Sequence, residues 1–167
     1  MIMYDYTIRS PRLQDLERCY EIESTSYEGD EAATYEKIKT RILSYPEGFM
    51  VMEIGGLIVG FINSGSTDNV VMSDEHFKEL IGHNPEGKHN VIMSVVVHRN
   101  FQGRGISSIL IKNYIFRMRQ LKKESIQLMC KENLISLYER FGFKHLVKSS
   151  SSHGGMSWHE MSLALKI

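Results

Sequence analysis

The chain reads as an α/β (α+β) protein, with a mixed sheet of about seven strands flanked by about four helices. Three observations carry that expectation. Val91–Val97 is nearly all apolar and mostly β-branched, which predicts a strand buried on both faces in the middle of a sheet. It runs through Gln102-Gly-Arg-Gly105 into Ile106, Ile109, Leu110, Tyr114 and Met118, spaced as one face of a helix to about Gln120. Finally, Phe49–Ile54 and Leu57–Ser64 flank Gly55-Gly56, a two-residue hairpin signal that predicts an antiparallel pair.

The remaining elements follow in chain order. Tyr4–Arg9 alternates as a first strand, and Ser10-Pro11 supplies an N-cap and a first-turn proline for a helix with Leu13, Leu16, Tyr20 and Ile22 on its apolar face. That helix is expected to give way at Glu21-Ile-Glu-Ser-Thr-Ser-Tyr-Glu-Gly-Asp-Glu31, a loop rich in carboxylates that is either a solvated surface or a lid attractive to a cationic amine. A second helix spans about Thr34 to Ser44 and stops at Pro46-Glu-Gly48. Residues 65–90 form a long polar connection, in which Ser73-Asp74-Glu75 can start a short helix; connections of this length are usually functional or partly folded. After the central strand and helix come a strand at Ser125–Cys130 and a short helix at Asn133–Phe141, stopped by Gly142. Strands at Lys144–Lys148 and Ser157–Lys166 are joined by the loop Ser149–Gly155.

Composition narrows the class of partner. At 167 residues the chain suits one domain with a real core. Twenty basic and 20 acidic residues cancel, which argues against a general nucleic-acid or membrane surface and for a small partner. Cys19 and Cys130 are far apart and lack metal-ligand spacing, so no metal site is expected and a reducing, cytoplasmic compartment is the simplest reading. No apolar run approaches the roughly 20 residues of a membrane span, and no export signal is visible at the start.

The glycine turn has a chemical use. A helix start leaves its first amides without intrahelical partners and carries partial positive charge, so it can wrap an anion. Gly103 and Gly105 let a phosphate approach the main chain, and Ser107 and Ser108 add hydroxyl donors. The turn has neither a Gly-Lys-Ser/Thr ending nor a three-glycine dinucleotide fingerprint, so a diphosphate ligand is expected but its type stays open.

At these residues the chain resembles the GNAT superfamily of N-acetyltransferases. Gln102-x-x-Gly105-x-Ser107 after an apolar strand is similar to its acetyl-CoA signature, Gln/Arg-x-x-Gly-x-Gly/Ala, with Ser107 departing from the last position. Leu137-Tyr-Glu-Arg-Phe-Gly-Phe143 resembles the family's tyrosine preceding Phe-Gly-Phe. Glu21-Ile-Glu23, Val97-His-Arg-x-Phe101, Leu128-Met-Cys-Lys131, Tyr138-x-Arg-Phe-Gly-Phe143 and Glu160-Met161 stand in the order found in the arylalkylamine N-acetyltransferases, over roughly residues 4 to 165. The resemblance implies a single acetyltransferase domain over 1–167, a mostly antiparallel sheet with a splayed central strand, and acetyl-CoA as co-substrate. Homodimers are common among such relatives, and the sequence does not decide for or against one.

The chemistry then sets the roles. An alkylammonium has a pKa near about 10.4, so presenting a neutral amine at pH 7 costs about 4 to 5 kcal/mol unless a base or a water chain takes the proton. A thiol of pKa about 8.5 leaves beside a phenol of pKa about 10, close enough for useful proton donation. By its match to the family tyrosine, Tyr138 is the expected acid. The resemblance assigns Val95, Val96 and Val97 to the pantetheine arm, Gln102, Gly103, Arg104, Gly105, Ile106, Ser107 and Ser108 to the pyrophosphate, and Asn133 to a further cofactor contact. Arylalkylamine enzymes carry two central-strand histidines where this chain has Val91 and Met93, neither of which takes a proton. Glu23, His89 and His153 are left as candidate bases beside water. Three readings stay open: an N-acetyltransferase for a small amine such as an arylalkylamine or polyamine, an acyl-CoA-binding module without turnover, and a peptide or protein acetyltransferase. A pocket walled by Tyr27, Phe49 or Trp158 would favour the first, and an open groove beside the 65–90 loop the last.

Overall fold

A computed structural model describes residues 5–27, 32–148 and 158–165. Its sheet has seven strands: β1 (Tyr6–Arg9), β2 (Phe49–Ile54), β3 (Leu57–Thr67), β4 (His89–Val97), β5 (Ser125–Cys130), β6 (Lys144–Lys148) and β7 (His159–Ala164). Four helices flank it: α1 (Leu16–Ser26), α2 (Tyr35–Ser44), α3 (Ile106–Gln120) and α4 (Ile135–Glu139). The strand order is β1-β2-β3-β4-β5-β7-β6, and every pairing is antiparallel except β4 with β5. The expected class and count hold.

The parallel pair is short. β4 meets β5 only at His89, Asn90 and Val91, while β5 stays paired with β7 through Cys130. Just past Val91 the register between β3 and β4 shifts: Asn63 faces Ser94 and Ser64 faces Ile92, so Met93 is an extra residue in β4. A bulge bends its strand and strengthens the local twist, which turns the end of β4 away from β5 and forks the sheet. The splayed central strand is therefore present, and the bulge is a physical reason for it.

The fork also corrects an expectation. Burial along β4 alternates, with Asn90, Ile92, Ser94 and Val96 buried and Val91, Met93, Val95 and Val97 only half-buried. The apolar run predicted burial on both faces; the opening beside β5 leaves Val91, Met93 and Val95 half-buried at the border of a cavity.

Helices cover both faces. α3 and α4 bury Ile106, Leu110, Tyr114, Met118 and Tyr138 against Met52, Ile62, Ile126 and Met161. On the other face α1 and α2 bury Cys19, Ile22, Ile38 and Ile42 against Phe49, Val51 and Phe61. Gly60 is fixed by this packing: a Cβ there would come within 2.9 Å of the Val96 carbonyl and 3.3 Å of Ile106 and Leu110.

Two helix ends differ from expectation. Ser10-Pro11 does not start α1; a short 3-10 turn at Leu13–Asp15 precedes it, and the Asp15 carboxylate accepts from the Arg12 amide at 2.7 Å and from Arg9 at 2.8 Å. At its other end α1 continues to Ser26, so Glu21–Ser26 is helix rather than loop, and Glu23 faces the interior at 1% exposure. Glu23 follows Cys19 and Ile22 on the buried stripe, at i+4 and i+1, and the helical period carries it inward. Residues 28–31, the rest of the acidic stretch, and residues 149–157, on which the expected loop Ser149–Gly155 falls, lie outside the described residues.

The long connection is pinned at its base. Lys123 is buried, and its Nζ donates to the Ser66 hydroxyl at 2.9 Å and to the carbonyls of Pro85 at 2.7 Å and Gly87 at 2.6 Å. Within it Asp74 caps a 3-10 turn, Glu75–Glu79, through its carboxylate and the His76 amide at 3.0 Å. No helix among the described residues is long and apolar enough to cross a membrane.

Candidate active site

A cavity of about 520 Å³ opens at the fork. One wall is β4 from Val91 to Val95 and the opposite one is β5 with Leu128 to Lys131. α1 and α2 contribute Glu23, Tyr27 and Arg41, and the long connection contributes Met72, Asp74, Phe77 and Lys78. These residues of the connection thus border the cavity; the connection itself is shorter than the expected 65–90, because β3 runs to Thr67 and β4 begins at His89, leaving residues 68–88 between them.

At the β4 end stands the glycine turn. Gly103 and Gly105 have φ of 76° and 80°, in the left-handed region that favours glycine, and open space lies where each Cβ would be. Gly105 is the N-cap of α3 and offers no side chain to the first-turn amides, which have no intrahelical partners. The turn is an open cradle of amides at a helix start, a fit to a pyrophosphate. Gln102 ties it to the strand, its Nε2 donating to the Val97 carbonyl at 3.1 Å, and also lines the cavity. Ile106 turns inward to the core, so its side chain anchors α3 and only its backbone faces the turn. Arg104 lies over the Phe101 ring at 5.1 Å.

Tyr138 reaches the cavity from α4, at 5% exposure and edge-on to Phe143 at 5.6 Å. Burial pushes its phenol well above the ordinary value, so it carries its proton throughout the neutral range. Asn133 lines the same wall. The Val95 carbonyl accepts from the Tyr27 hydroxyl at 3.4 Å, while Val96 packs between β4 and α1 and Val97 against α3's side of the core.

Glu23 and Arg41 are the buried charges of the cavity. Glu23 Oε2 accepts from the Ala33 amide at 2.8 Å, and Oε1 has no hydrogen-bond partner. Burial raises the Glu23 pKa, opposed by the Ala33 amide, the Arg41 charge and the Ser94 hydroxyl. Arg41 is 2% exposed; Nε and Nη2 donate to the Lys78 carbonyl at 3.3 and 3.1 Å, and Nη1 to Asn63 Oδ1 at 3.4 Å. Burial pushes its pKa down to about 10, which leaves it charged at neutral pH.

Comparison with known proteins then decides the family. The profile of the acetyltransferase (GNAT) family matches residues 14–143, most of the chain, from α1 through Phe143. The chain belongs to the GNAT family. Serotonin N-acetyltransferase of Mesocricetus auratus is 28% identical to this GNAT chain over 112 residues, 66% of this chain and 53% of that protein. The chain spans about half the length of the curated relatives it matches. Among solved structures, the loading GNATL domain of CurA from Lyngbya majuscula shares the fold with a TM-score of 0.83 at 17% identity, covering 96% of this chain and 98% of that one. yncA from Salmonella typhimurium, solved with its cofactor acetyl-CoA, superposes with a TM-score of 0.71 at 19% identity, covering 98% and 95%.

The GNAT chain thus brings Glu23, Val95, Gln102, Asn133 and Tyr138 to one cavity. His89 is not among its lining residues: it stands at the start of β4, its Nδ1 2.7 Å from the Ser125 hydroxyl, where the two strands are still paired. His153 lies outside the described residues. Of the expected aromatic walls, Tyr27 and Trp158 line the cavity, but Phe49 is fully buried beside Phe61 at 5.4 Å in the core under α1 and α2, because β2 is two strands removed from the fork. Phe77 takes that place. Val91 and Met93, the positions aligned with the relatives' histidines, do border the cavity. Arg41 was missed, though the sequence held a signal: it sits between Ile38 and Ile42 on the apolar stripe of α2, where a cation is out of place unless it is used.

Proposed function

We propose that this chain is an acetyl-CoA-dependent N-acetyltransferase that moves an acetyl group to a small primary amine, an arylalkylamine, a polyamine or a similar acceptor, by direct attack in a ternary complex. The observation that carries the reading is the fork: one cavity runs from Gln102, next in sequence to the amide cradle at Gly103–Gly105, to a buried phenol and a buried carboxylate. The co-substrate supplies an activated thioester. Its pyrophosphate is assigned to the amides of residues 103–108, and its pantetheine arm to the edge of β4 at Val95–Val97, with Asn133 nearby. Preorganised amides at a developing negative charge contribute a few kcal/mol to rate.

Tyr138 Oη is assigned the role of acid, giving its proton to the departing sulfur. Burial keeps the phenol protonated at every neutral pH but also moves its pKa further above that of the leaving thiol, so the proton passes as negative charge develops on sulfur, and the phenolate regains a proton from solvent. Glu23 is the candidate base that the cavity favours, since its raised pKa brings it nearer the amine's and Oε1 is available. Neither thiol is required. Burial pushes Cys130 up to about 11, so little thiolate exists at neutral pH, and Cys19 lies in the core below α1. Two buried free thiols also accord with a cytoplasmic compartment. The aromatic walls Tyr27, Phe77 and Trp158 support a small acceptor over a protein.

The test is release of CoA thiol from acetyl-CoA across aryl amines, polyamines, amino acids and short peptides. Turnover with a small amine is expected. Protection of the fold by acetyl-CoA with no thiol release against any acceptor would replace the enzyme by a binding module, and turnover with peptides alone would move the substrate to proteins.

A further inference from the structure

The cavity holds two buried charges of opposite sign that do not touch each other. Among the described residues, Arg41 has no carboxylate within 4 Å, and its hydrogen bonds go only to neutral acceptors, Lys78 O and Asn63 Oδ1. Glu23 Oε1 closes no hydrogen bond among the described residues, at 1% exposure. A buried ion left without a counter-ion is costly, and proteins keep such groups where a ligand completes them. Both residues line the same space.

The surrounding charges have a sign. Lys37, Arg41, Lys78 and Lys131 line the cavity against only Glu23 and Asp74 among the described residues. Lys78 is taken by Glu75 at 2.7 Å. Lys37 makes no ion pair among the described residues and stands one turn before Arg41 on α2, so i,i+4 spacing brings both cations to one face. A polyamine would set its second ammonium against these two cations, which low dielectric penalises.

Resting on the transferase reading, we infer that the acceptor is a zwitterionic amine: a primary amine with an anionic group, of which a carboxylate is the simplest, a few bonds from the nitrogen, on an apolar body. The amine nitrogen donates to Glu23 Oε1, the carboxylate sits against Arg41 and Lys37, and the apolar body lies along Tyr27, Phe77 and Trp158. An amino acid with an aromatic or thioether side chain meets all three conditions. The unsubstituted aryl amine leaves Arg41 without an anion.

Matched pairs test this on the full chain with acetyl-CoA: phenylalanine with phenethylamine, tryptophan with tryptamine, methionine with 3-methylthiopropylamine, and spermidine as the polyamine. At least one amino acid is expected to exceed its decarboxylated partner in kcat/KM by about tenfold to a hundredfold, the range of a hydrogen bond to a charged group. Lys37→Ala is expected to shrink that ratio about tenfold through KM, and Lys37→Arg to restore most of it. The inference is overturned if every free amine or spermidine outpaces the carboxylated compounds, or if Lys37→Ala leaves the ratio unchanged; turnover of those amines would leave the transferase reading standing. No turnover with any acceptor, by protein that still binds acetyl-CoA, overturns both.

Discussion

Tyr138→Phe removes one oxygen from the cavity and leaves the ring that packs on Phe143 at 5.6 Å. With the edge contact and the burial of α4 preserved, stability should change by less than about 1 kcal/mol. Affinity for acetyl-CoA should hardly move, since the cradle at residues 103–108 belongs to α3 and not to α4. Turnover should fall by about 10²- to 10⁴-fold, the usual contribution of a positioned acid, equal to about 2.7 to 5.5 kcal/mol in the barrier. Steady-state thiol release beside equilibrium binding of acetyl-CoA separates the two effects. The phenol's pKa is raised by burial, so the acid form persists above pH 10, and the wild-type rate should show no loss of this group across the neutral range. An unchanged kcat in the variant would remove Tyr138 from proton transfer, and parallel losses in kcat and acetyl-CoA affinity would mark it as a packing residue.

Three further outcomes follow from named contacts. Glu23→Gln should lower kcat by about 10²- to 10³-fold if the carboxylate takes the amine proton, while raising Tm at pH 7. The sign comes from the raised pKa, which already includes the attraction of Arg41: the fold favours protonated Glu23, that contribution is full below the ordinary carboxylate pKa of about 4.3 and is lost as pH rises through the folded value, and glutamine mimics the protonated form, so the gap in Tm should close on acidification. Gly105→Ala forces a left-handed φ of 80° on a residue with a Cβ, costing roughly 1 kcal/mol and about 2–4 °C in Tm, and should weaken acetyl-CoA about tenfold; Gly55→Ala at φ 60°, in the β2–β3 hairpin, should match the first loss in thermal melts without the second in binding. Lys123→Met leaves the carbonyls of Pro85 and Gly87 and the Ser66 hydroxyl without their donor, which should cost about 2 to 4 kcal/mol, lower Tm by roughly 10 °C, and raise hydrogen exchange in the 68–88 connection first.

Much of the fold was legible because local chemistry and global topology agree. Gly55-Gly56 does form the β2–β3 hairpin with φ of 60° and 79°, Thr34 caps α2 through its hydroxyl and the Lys37 amide at 3.2 Å, and Gly142 ends the α4 segment at φ 95°. The glycine turn stands where the strand-to-helix switch put it. What the residues hid was the bulge at Met93, which depends on pairing between β3 and β4 and not on any residue type. The fork follows from that pairing, and so does the half-exposure of Val91, Met93 and Val95 on a run that reads as fully buried. The site was legible at Tyr138 and Gln102, whose motifs are local in sequence. Arg41 was not, because its charge is used by a cavity assembled from α1, α2, β4 and β5, elements spread over more than 80 residues of chain. Glu23 stands in the sequence as a candidate base on an acidic loop, and its burial was hidden because α1 extends through Ser26 into that run.

The most direct measurement follows the acetyl carbon itself. In a single turnover with isotopically labelled acetyl-CoA and an accepted amine, all label should appear in the amide product, and none on the protein at any time. Label trapped on Cys130, or CoA released with the label left in free acetate and none in the amine, would contradict direct transfer within the forked cavity.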